Sequence, residues 1–243
     1  MMRKLLRDIR YNRRHANLVD GFILSLKNIE IVRPYHNSIL IRYDSLSELK
    51  RFQKEEPETL KWISDYVKPG DVFYDIGACL GQYSFLAAKK GANVAAFEPS
   101  FSNFHALTKN IFLNKFQDKI SPFMIALSDK TELKFFSYKN LKPGTSHHKL
   151  SDTRSHLSVP VLACALDDLK LAEPTHIKLD TDGHELEVLN GAKETLKTVH
   201  SLMVEIDERK DNRDIFDALK QFELLNKYQR LTDYTYNYLW VRR

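Results

Sequence analysis

Acidic residues and glycines follow two apolar runs near the middle of the chain, and their spacing suggests a ligand site. The segment FYDIGACLGQYSFLA places Asp75 in the first run and follows it with Gly77 and Gly81. The second run, NVAAFEP, ends at Glu98. A strand that ends near an acid and turns tightly into a helix is typical of a nucleotide pocket at the carboxyl edge of a parallel sheet. We expect the glycines to let a ligand approach the backbone, and Glu98 to accept hydrogen bonds from ribose hydroxyls.

The turn between the first strand and its helix discriminates between two nucleotide ligands. A dinucleotide fingerprint has a middle glycine where the pyrophosphate passes, whereas this turn has Cys79 there, after Ala78. S-adenosylmethionine has no phosphate, and its ammonium would suit Asp75. The turn therefore favours S-adenosylmethionine over NAD. A plain strand-to-helix turn that binds nothing remains the alternative.

A second set of polar side chains follows a later apolar run, HIKLD (176–180). Asp180 ends this run, and Asp182 and His184 come directly after it. We predict these three as the catalytic group, with Asp180 as a general base or an orienting carboxylate. Glu185 fits equally well as an acid that stabilises the start of a helix. A divalent cation held by Asp180, Asp182 and Glu205 is an option, but no metal site is assigned.

Three histidines lie in a polar segment that interrupts the regular pattern between residues 130 and 162. His147, His148 and His156 are candidates for a base, but solvated loop histidines are the simpler interpretation. Adjacent side chains in an extended segment point in opposite directions, so His147 and His148 do not suggest a shared metal.

Alternating apolar strands and helices predict the architecture that positions these residues. Parallel βαβ units with right-handed crossovers, about seven sheet strands in all, are expected. The predicted strands are 72–76, 93–99, 119–127, 175–180 and 201–207, with two further antiparallel strands at the end of the chain. The predicted helices between them are 81–91, 100–116, 183–199 and 212–222.

The first 66 residues form a separate region in this prediction, and residues 67–243 form the ligand-binding domain. Residues 1–14 carry six basic side chains and one acidic one at amphipathic helical spacing. That segment predicts a helix that packs on its own domain or a second subunit, or that touches an anionic membrane surface. A strand at 38–43 and a helix interrupted near Pro57, capped by Ser45 or Ser47, follow it.

Composition excludes several classes of function. The 243 residues are 43% hydrophobic and 28% charged, with no apolar run long enough to span a membrane and no signal-peptide pattern. The two cysteines, Cys79 and Cys164, show no disulfide or metal spacing, which predicts a reducing, cytoplasmic location. The basic segment, residues 1–14, leaves contact with the inner face of the membrane as an option. The net charge of +5 matches that of residues 1–14, so the neutral remainder argues against a nucleic-acid partner.

Four segments together resemble the FkbM-type S-adenosylmethionine-dependent methyltransferases. They read VKPGDVFYDIGACLGQYSFLA, AFEPSFSNFHALTKNIFLN, IALSD and HIKLDTDGHELEVLNGA followed by MVEID, and they span residues 67–207 in order. The signature of the family is met by Lys178, Asp180, Gly183 and Glu185.

This resemblance implies a function and a cofactor site. The fold would be a class I, Rossmann-like methyltransferase: a seven-stranded, mostly parallel α/β sheet whose last strand is antiparallel. The activity would be methyl transfer to a hydroxyl of a small molecule or glycan, with an NAD-type oxidoreductase or a non-catalytic S-adenosylmethionine-binding module as alternatives. The adenine would lie at ALSD, residues 126–129. The expected cofactor-binding residues are Asp75, Gly77, Ala78, Gly81, Glu98, Ala126 and Ser128.

Overall fold

The computed structural model describes residues 31–36, 39–43, 45–53, 56–229 and 234–243. The helix predicted for residues 1–14 lies outside these ranges. Within them, every helix is too short or too polar to cross a bilayer. The division at residue 66 stays a prediction.

The described part of the N-terminal extension is a β-hairpin followed by two helices. Strands β1 (Ile31–Tyr35) and β2 (Ile39–Tyr43) pair antiparallel, and helices α1 (Leu46–Gln53) and α2 (Pro57–Tyr66) follow. The helix break predicted at Pro57 is confirmed, because proline begins α2 at a position where its missing N–H costs nothing. Ser45 caps α1, since its hydroxyl accepts from the Glu48 N–H while Glu48 accepts from the Ser45 N–H.

A seven-stranded sheet forms the centre of the molecule, as predicted. Its strands are β3 (Val72–Ile76), β4 (Asn93–Phe97), β5 (Ile120–Phe123), β10 (His176–Leu179), β11 (Ser201–Asp207), β12 (Phe222–Gln229) and β13 (Thr235–Arg242). Their spatial order is β12-β13-β11-β10-β3-β4-β5. Strand β13 is antiparallel to both neighbours, whereas the other pairings are parallel. This is the class I, Rossmann-like methyltransferase sheet.

The two faces of the sheet bury two hydrophobic cores. Neighbouring residues on a strand point to opposite faces, so Phe73 joins the core that contains Trp62 while Tyr74 joins the core that contains Trp240. Helix α2 belongs to the first core, and its Trp62 indole N–H donates to the Ser201 hydroxyl at 2.9 Å. The described extension is therefore continuous with the main hydrophobic core.

Four helices flank the sheet: α3 (Gln82–Lys89), α4 (Phe101–Leu113), α5 (Glu185–Asn190) and α6 (Arg213–Ala218). The single helix predicted over 183–199 is wrong, because α5 ends at Gly191 and only a 3-10 turn, Thr195–Lys197, follows. The backbone of Gly191 passes so close to Ser128 that an added Cβ would lie 2.0 Å from the Ser128 carbonyl oxygen. The helix predicted at 212–222 is also shorter in the structure, where α6 ends at Ala218.

The irregular region forms a second, four-stranded sheet. It contains β6 (Ala126–Leu127), β7 (Glu132–Ser137), β8 (Lys149–Ser151) and β9 (Ser158–Cys164), in the order β6-β9-β7-β8. The continuous strand predicted over 119–127 is wrong, because β5 pairs with β4 and β6 pairs with β9. One straight strand cannot supply backbone hydrogen bonds to two different sheets, so the chain bends between them.

Candidate active site

A cavity opens at the carboxyl edge of the central sheet. Gly77 and Glu98 line it from the ends of β3 and β4, and Asp180 lines it from the end of β10. The second sheet closes another side through Phe136 and His148. The carboxyl edge of an open parallel sheet is the usual place for a ligand in this class of fold.

The two glycines of the first turn make room for protein atoms, and the ligand approach expected of them stays a prediction. Both have positive φ angles, +80° at Gly77 and +87° at Gly81. A Cβ at Gly77 would lie 1.8 Å from the Asp180 carbonyl oxygen, and one at Gly81 would lie 2.4 Å from Leu107. Gly77 therefore lets the ends of β3 and β10 approach, although its backbone still lines the cavity.

Asp75 is buried and is not among the residues that line the cavity. Its side chain is 1% exposed, and Oδ2 accepts a hydrogen bond from the Ser84 hydroxyl at 2.5 Å. Oδ1 has no hydrogen-bond partner in the described structure. Burial raises the pKa of Asp75, and the nearby Lys178 opposes that rise. Its role as a cofactor ligand stays a prediction.

Glu98 lines the cavity and is held from both sides by the backbone. Its Oε1 accepts the Ser100 N–H and its Oε2 accepts the Cys79 N–H, each at 2.8 Å. Burial raises the pKa of Glu98 to about 7, and these two backbone hydrogen bonds act in the opposite direction. A carboxylate oxygen can accept more than one hydrogen bond, so Glu98 retains capacity for ribose hydroxyls.

Of the other residues predicted to bind the cofactor, Ala126 lines the cavity beside Leu127, and an adenine wall there stays a prediction. Ala78, Gly81 and Ser128 are buried and are not among the residues that line the cavity. The Ser128 N–H donates to the Cys164 carbonyl. The Cys79 thiol is buried, which raises its pKa to about 12 and keeps it neutral.

The predicted catalytic residues Asp180, Asp182 and His184 all line the same cavity. The Lys178 ammonium donates to Asp180 Oδ2 at 2.9 Å. Asp182 Oδ2 accepts the His147 N–H at 2.6 Å, and burial, followed by the charge of Asp180, raises the pKa of Asp182. The ring of His184 accepts the Leu150 N–H through Nε2 at 3.3 Å.

Glu185 has a structural role, which agrees with its predicted alternative. Its Oε1 accepts the Thr181 N–H, the Thr181 hydroxyl and the Gly183 N–H, each at 3.0 Å. These three bonds close the turn that carries Asp182, whose φ is +56°.

The loop histidines divide between surface and cavity. His147 is exposed and its ring lies 3.3 Å from Asp182 Oδ1. His148 lines the cavity, and its Nδ1 accepts the Lys139 N–H at 3.2 Å. His148 Nε2 is buried and has no partner in the part of the chain that the structure describes. His156 is exposed.

Three acids approach one another at the side of the cavity. Glu56, Asp180 and Glu205 each place one carboxylate oxygen within 4.8 Å of the others. The cation option proposed from the sequence grouped Asp182, not Glu56, with the other two. Lys178 already supplies positive charge to Asp180 here, so a metal ion stays a prediction.

Arg51 and Asn103 are among the cavity residues that the sequence did not identify. Arg51 reaches the cavity from α1, and Asn103 reaches it from α4. Asn103 ties the loop between β7 and β8 to the site, because it accepts the Gly144 N–H at 2.8 Å and donates to the Thr145 carbonyl at 3.1 Å. Arg51 lies outside the recognised motifs, and nothing within its motif singles out Asn103, so tertiary placement identifies both.

Comparison with known proteins agrees with this arrangement. Haloferax volcanii hexuronic acid methyltransferase AglP is 27% identical over 192 residues, which cover 77% of this chain and 78% of the relative. An FkbM methyltransferase crystal structure from Methylobacillus flagellatus superposes with a TM-score of 0.51 at 16% identity, covering 81% of this chain and 53% of that one. This chain thus spans about half the length of that solved protein.

A protein of Pyrococcus horikoshii, PH0793, superposes with a TM-score of 0.52 at 16% identity, over 88% of this chain and 71% of that one. At such identities the two solved structures support the fold alone. The model of the methyltransferase FkbM domain matches residues 75–238, which contain the turn, Glu98 and the Asp180 segment. The chain belongs to the FkbM methyltransferase family.

Proposed function

We propose that the chain is an S-adenosylmethionine-dependent O-methyltransferase that acts on a hydroxyl of a glycan. The observation that carries the proposal is one cavity that joins Glu98, suited to a ribose, with Asp180 and Asp182, suited to a reacting hydroxyl. The similarity to a hexuronic acid methyltransferase makes uronic-acid-containing glycans the first acceptors to test.

The residues around Glu98 fit the nucleoside part of the cofactor. Glu98 offers carboxylate lone pairs to the ribose hydroxyls, while Phe97, Ile125 and Leu127 provide an apolar surface for the adenine. When bound, S-adenosylmethionine supplies an activated methyl group on a positively charged sulfur. The protein then has to hold the acceptor oxygen in line and accept its proton.

We assign proton removal to Asp182 and orientation to Asp180. The Asp182 carboxylate would accept the hydroxyl proton of the acceptor, whose oxygen would take the methyl group that the bound cofactor supplies and leave the cofactor sulfur as a neutral thioether. A raised pKa makes a carboxylate a better proton acceptor, and burial raises the pKa of Asp182. Asp180 is tied to Lys178, which suits it to fix the position of the acceptor.

Family membership argues against the NAD-type oxidoreductase alternative, because the chain matches a methyltransferase model over most of its length. The non-catalytic binding module remains a separate outcome of the experiment below.

The test is to incubate the protein with methyl-labelled S-adenosylmethionine and either a uronic-acid-containing glycan or its neutral counterpart. Mass spectrometry then identifies the methylated product. We expect Asp182→Asn to lower kcat about 100-fold or more while S-adenosylhomocysteine still binds normally.

Asp152→Asn is the matched control, because Asp152 is exposed and pairs with Lys134 outside the cavity. It should retain wild-type turnover. Full turnover by Asp182→Asn would show that the base lies elsewhere. Cofactor binding without transfer to any acceptor would favour the non-catalytic module.

A further inference from the structure

We propose that Arg51, on the N-terminal extension, binds the carboxylate at the methionine end of S-adenosylmethionine. This inference rests on the proposed cofactor. It gives residues upstream of the family-matched region a direct part in the site.

Arg51 presents an unsatisfied donor group at the cavity. Its side chain lines the same cavity as Gly77, Cys79 and Asp180. The Nε atom is buried and has no hydrogen-bond partner among the described residues. A buried polar donor without a partner costs free energy, so an anionic ligand that supplies acceptors would stabilise this arrangement.

The extension holds Arg51 in place through contacts that do not involve its guanidinium. The Ser45–Glu48 capping pair begins α1, and Glu48 Oε1 lies 3.6 Å from the Lys109 ammonium on α4. Phe52, the next residue, is buried with its ring 5.4 Å from Tyr35 and 5.6 Å from Tyr43. Arg51 therefore approaches the cavity from a firmly docked helix.

The charges beside the first turn match a zwitterion. Burial lowers the pKa of Arg51, but the neighbouring groups, Cys79, Asp180, Tyr83 and Glu56, together raise it by more, so the guanidinium stays charged. Arg51 thus offers a positive group, and Asp180 a negative group, on the wall beside Cys79. The amino-acid end of the cofactor carries one ammonium and one carboxylate, whereas its nucleoside end is uncharged.

Guanidinium and carboxylate form two parallel hydrogen bonds, which makes arginine a specific carboxylate ligand. A carboxylate can come from the cofactor or from a uronic acid acceptor. The cofactor is favoured because Arg51 lines the cavity together with Gly77 and Cys79, which belong to the turn itself.

The experiment compares three ligands by calorimetry on the full chain: S-adenosylhomocysteine, decarboxylated S-adenosylmethionine and 5′-methylthioadenosine. Only the first carries the carboxylate. We expect Arg51→Met to weaken S-adenosylhomocysteine binding about 10- to 100-fold and to leave the other two unchanged. Arg51→Lys should restore part of the affinity, because it keeps the charge but loses the planar pair of donors.

Lys50→Met is the matched control, since Lys50 is an exposed cation on the same helix. Its affinities should equal those of the wild type. An equal loss for all three ligands in Arg51→Met would overturn the proposal in favour of a folding role. Unchanged S-adenosylhomocysteine affinity would also overturn it, and a raised KM for the uronic acid glycan alone would then assign Arg51 to the acceptor.

Failure of the wild type to bind S-adenosylhomocysteine would instead reject the proposed cofactor. That result is recognisable before any variant is compared. Thermal melts of Arg51→Met check that the variant is folded.

Discussion

Glu98 is a buried carboxyl whose protonation state should control affinity at neutral pH. Burial raises its pKa from 4.5 to about 7, so the group is mostly protonated at pH 6 and mostly ionised at pH 8. The ionised form accepts stronger hydrogen bonds from ribose hydroxyls. We expect S-adenosylhomocysteine to bind up to about tenfold more tightly at pH 8 than at pH 6, measured by calorimetry.

Glu98→Gln is the control because an amide does not titrate in this range. At pH 8, Glu98→Gln should bind S-adenosylhomocysteine more weakly than the wild type does. The part of the pH dependence of affinity that comes from Glu98 should be absent in this variant. In the ligand-free protein, a rise in pH has the opposite effect on stability from the one it has on affinity. The folded state keeps a proton that the unfolded state releases, so Glu98 should lower the free energy of unfolding as pH rises from 4.5 towards 7. A pH profile of affinity that is identical in Glu98→Gln would contradict this account.

At the scale of the elements, the ends of β3 and β10 lie so close together that residue 77 has to be glycine. A Cβ at Gly77 would lie 1.8 Å from the Asp180 carbonyl oxygen. We expect Gly77→Ala to lower the free energy of unfolding by about 1–3 kcal/mol more than Gly70→Ala does, measured by chemical denaturation.

Gly70→Ala isolates the steric contribution. Gly70 also has a positive φ, +92°, but an added Cβ would meet nothing within 4 Å. Both variants therefore share a left-handed backbone cost of about 1–2 kcal/mol. Equal destabilisation of the two would mean that the approach of β3 to β10 is not constrained.

At the scale of the whole molecule, the two tryptophans report on the two faces of the sheet. Trp62, from the extension, lies in one core, and Trp240, from β13, lies in the other. Because the described extension shares a core with the sheet, we expect both faces to unfold together. The variants Trp62→Phe and Trp240→Phe each retain one tryptophan as a fluorescence probe of one face. In each variant, the fluorescence midpoint of denaturation should equal the midpoint measured by circular dichroism.

A fluorescence midpoint that differs from the circular dichroism midpoint of the same variant would contradict this expectation. An earlier transition for the variant that retains Trp62 would mean that residues 1–66 melt as a separate unit. That result would support the two-domain division predicted from the sequence.

The order of strands and helices followed from local patterns, as did the grouping of Glu98, Asp180, Asp182 and His184 at one sheet edge. Apolar periodicity and helix-cap residues act over a few positions, so they are readable without a structure. Two local predictions were wrong: the continuous strand at 119–127 and the long helix at 183–199. In each case the decisive contact comes from a segment distant along the chain.

Sequence by itself therefore determined the class of sheet, the family and several of the polar residues that line the cavity, because these depend on short motifs in a regular order. Only the tertiary structure decided that Arg51 reaches the cavity, that Asp75 is buried outside its lining and that Glu185 closes a turn. Side-chain burial and hydrogen bonding depend on distances between residues far apart in the chain, and local periodicity carries no information about those distances.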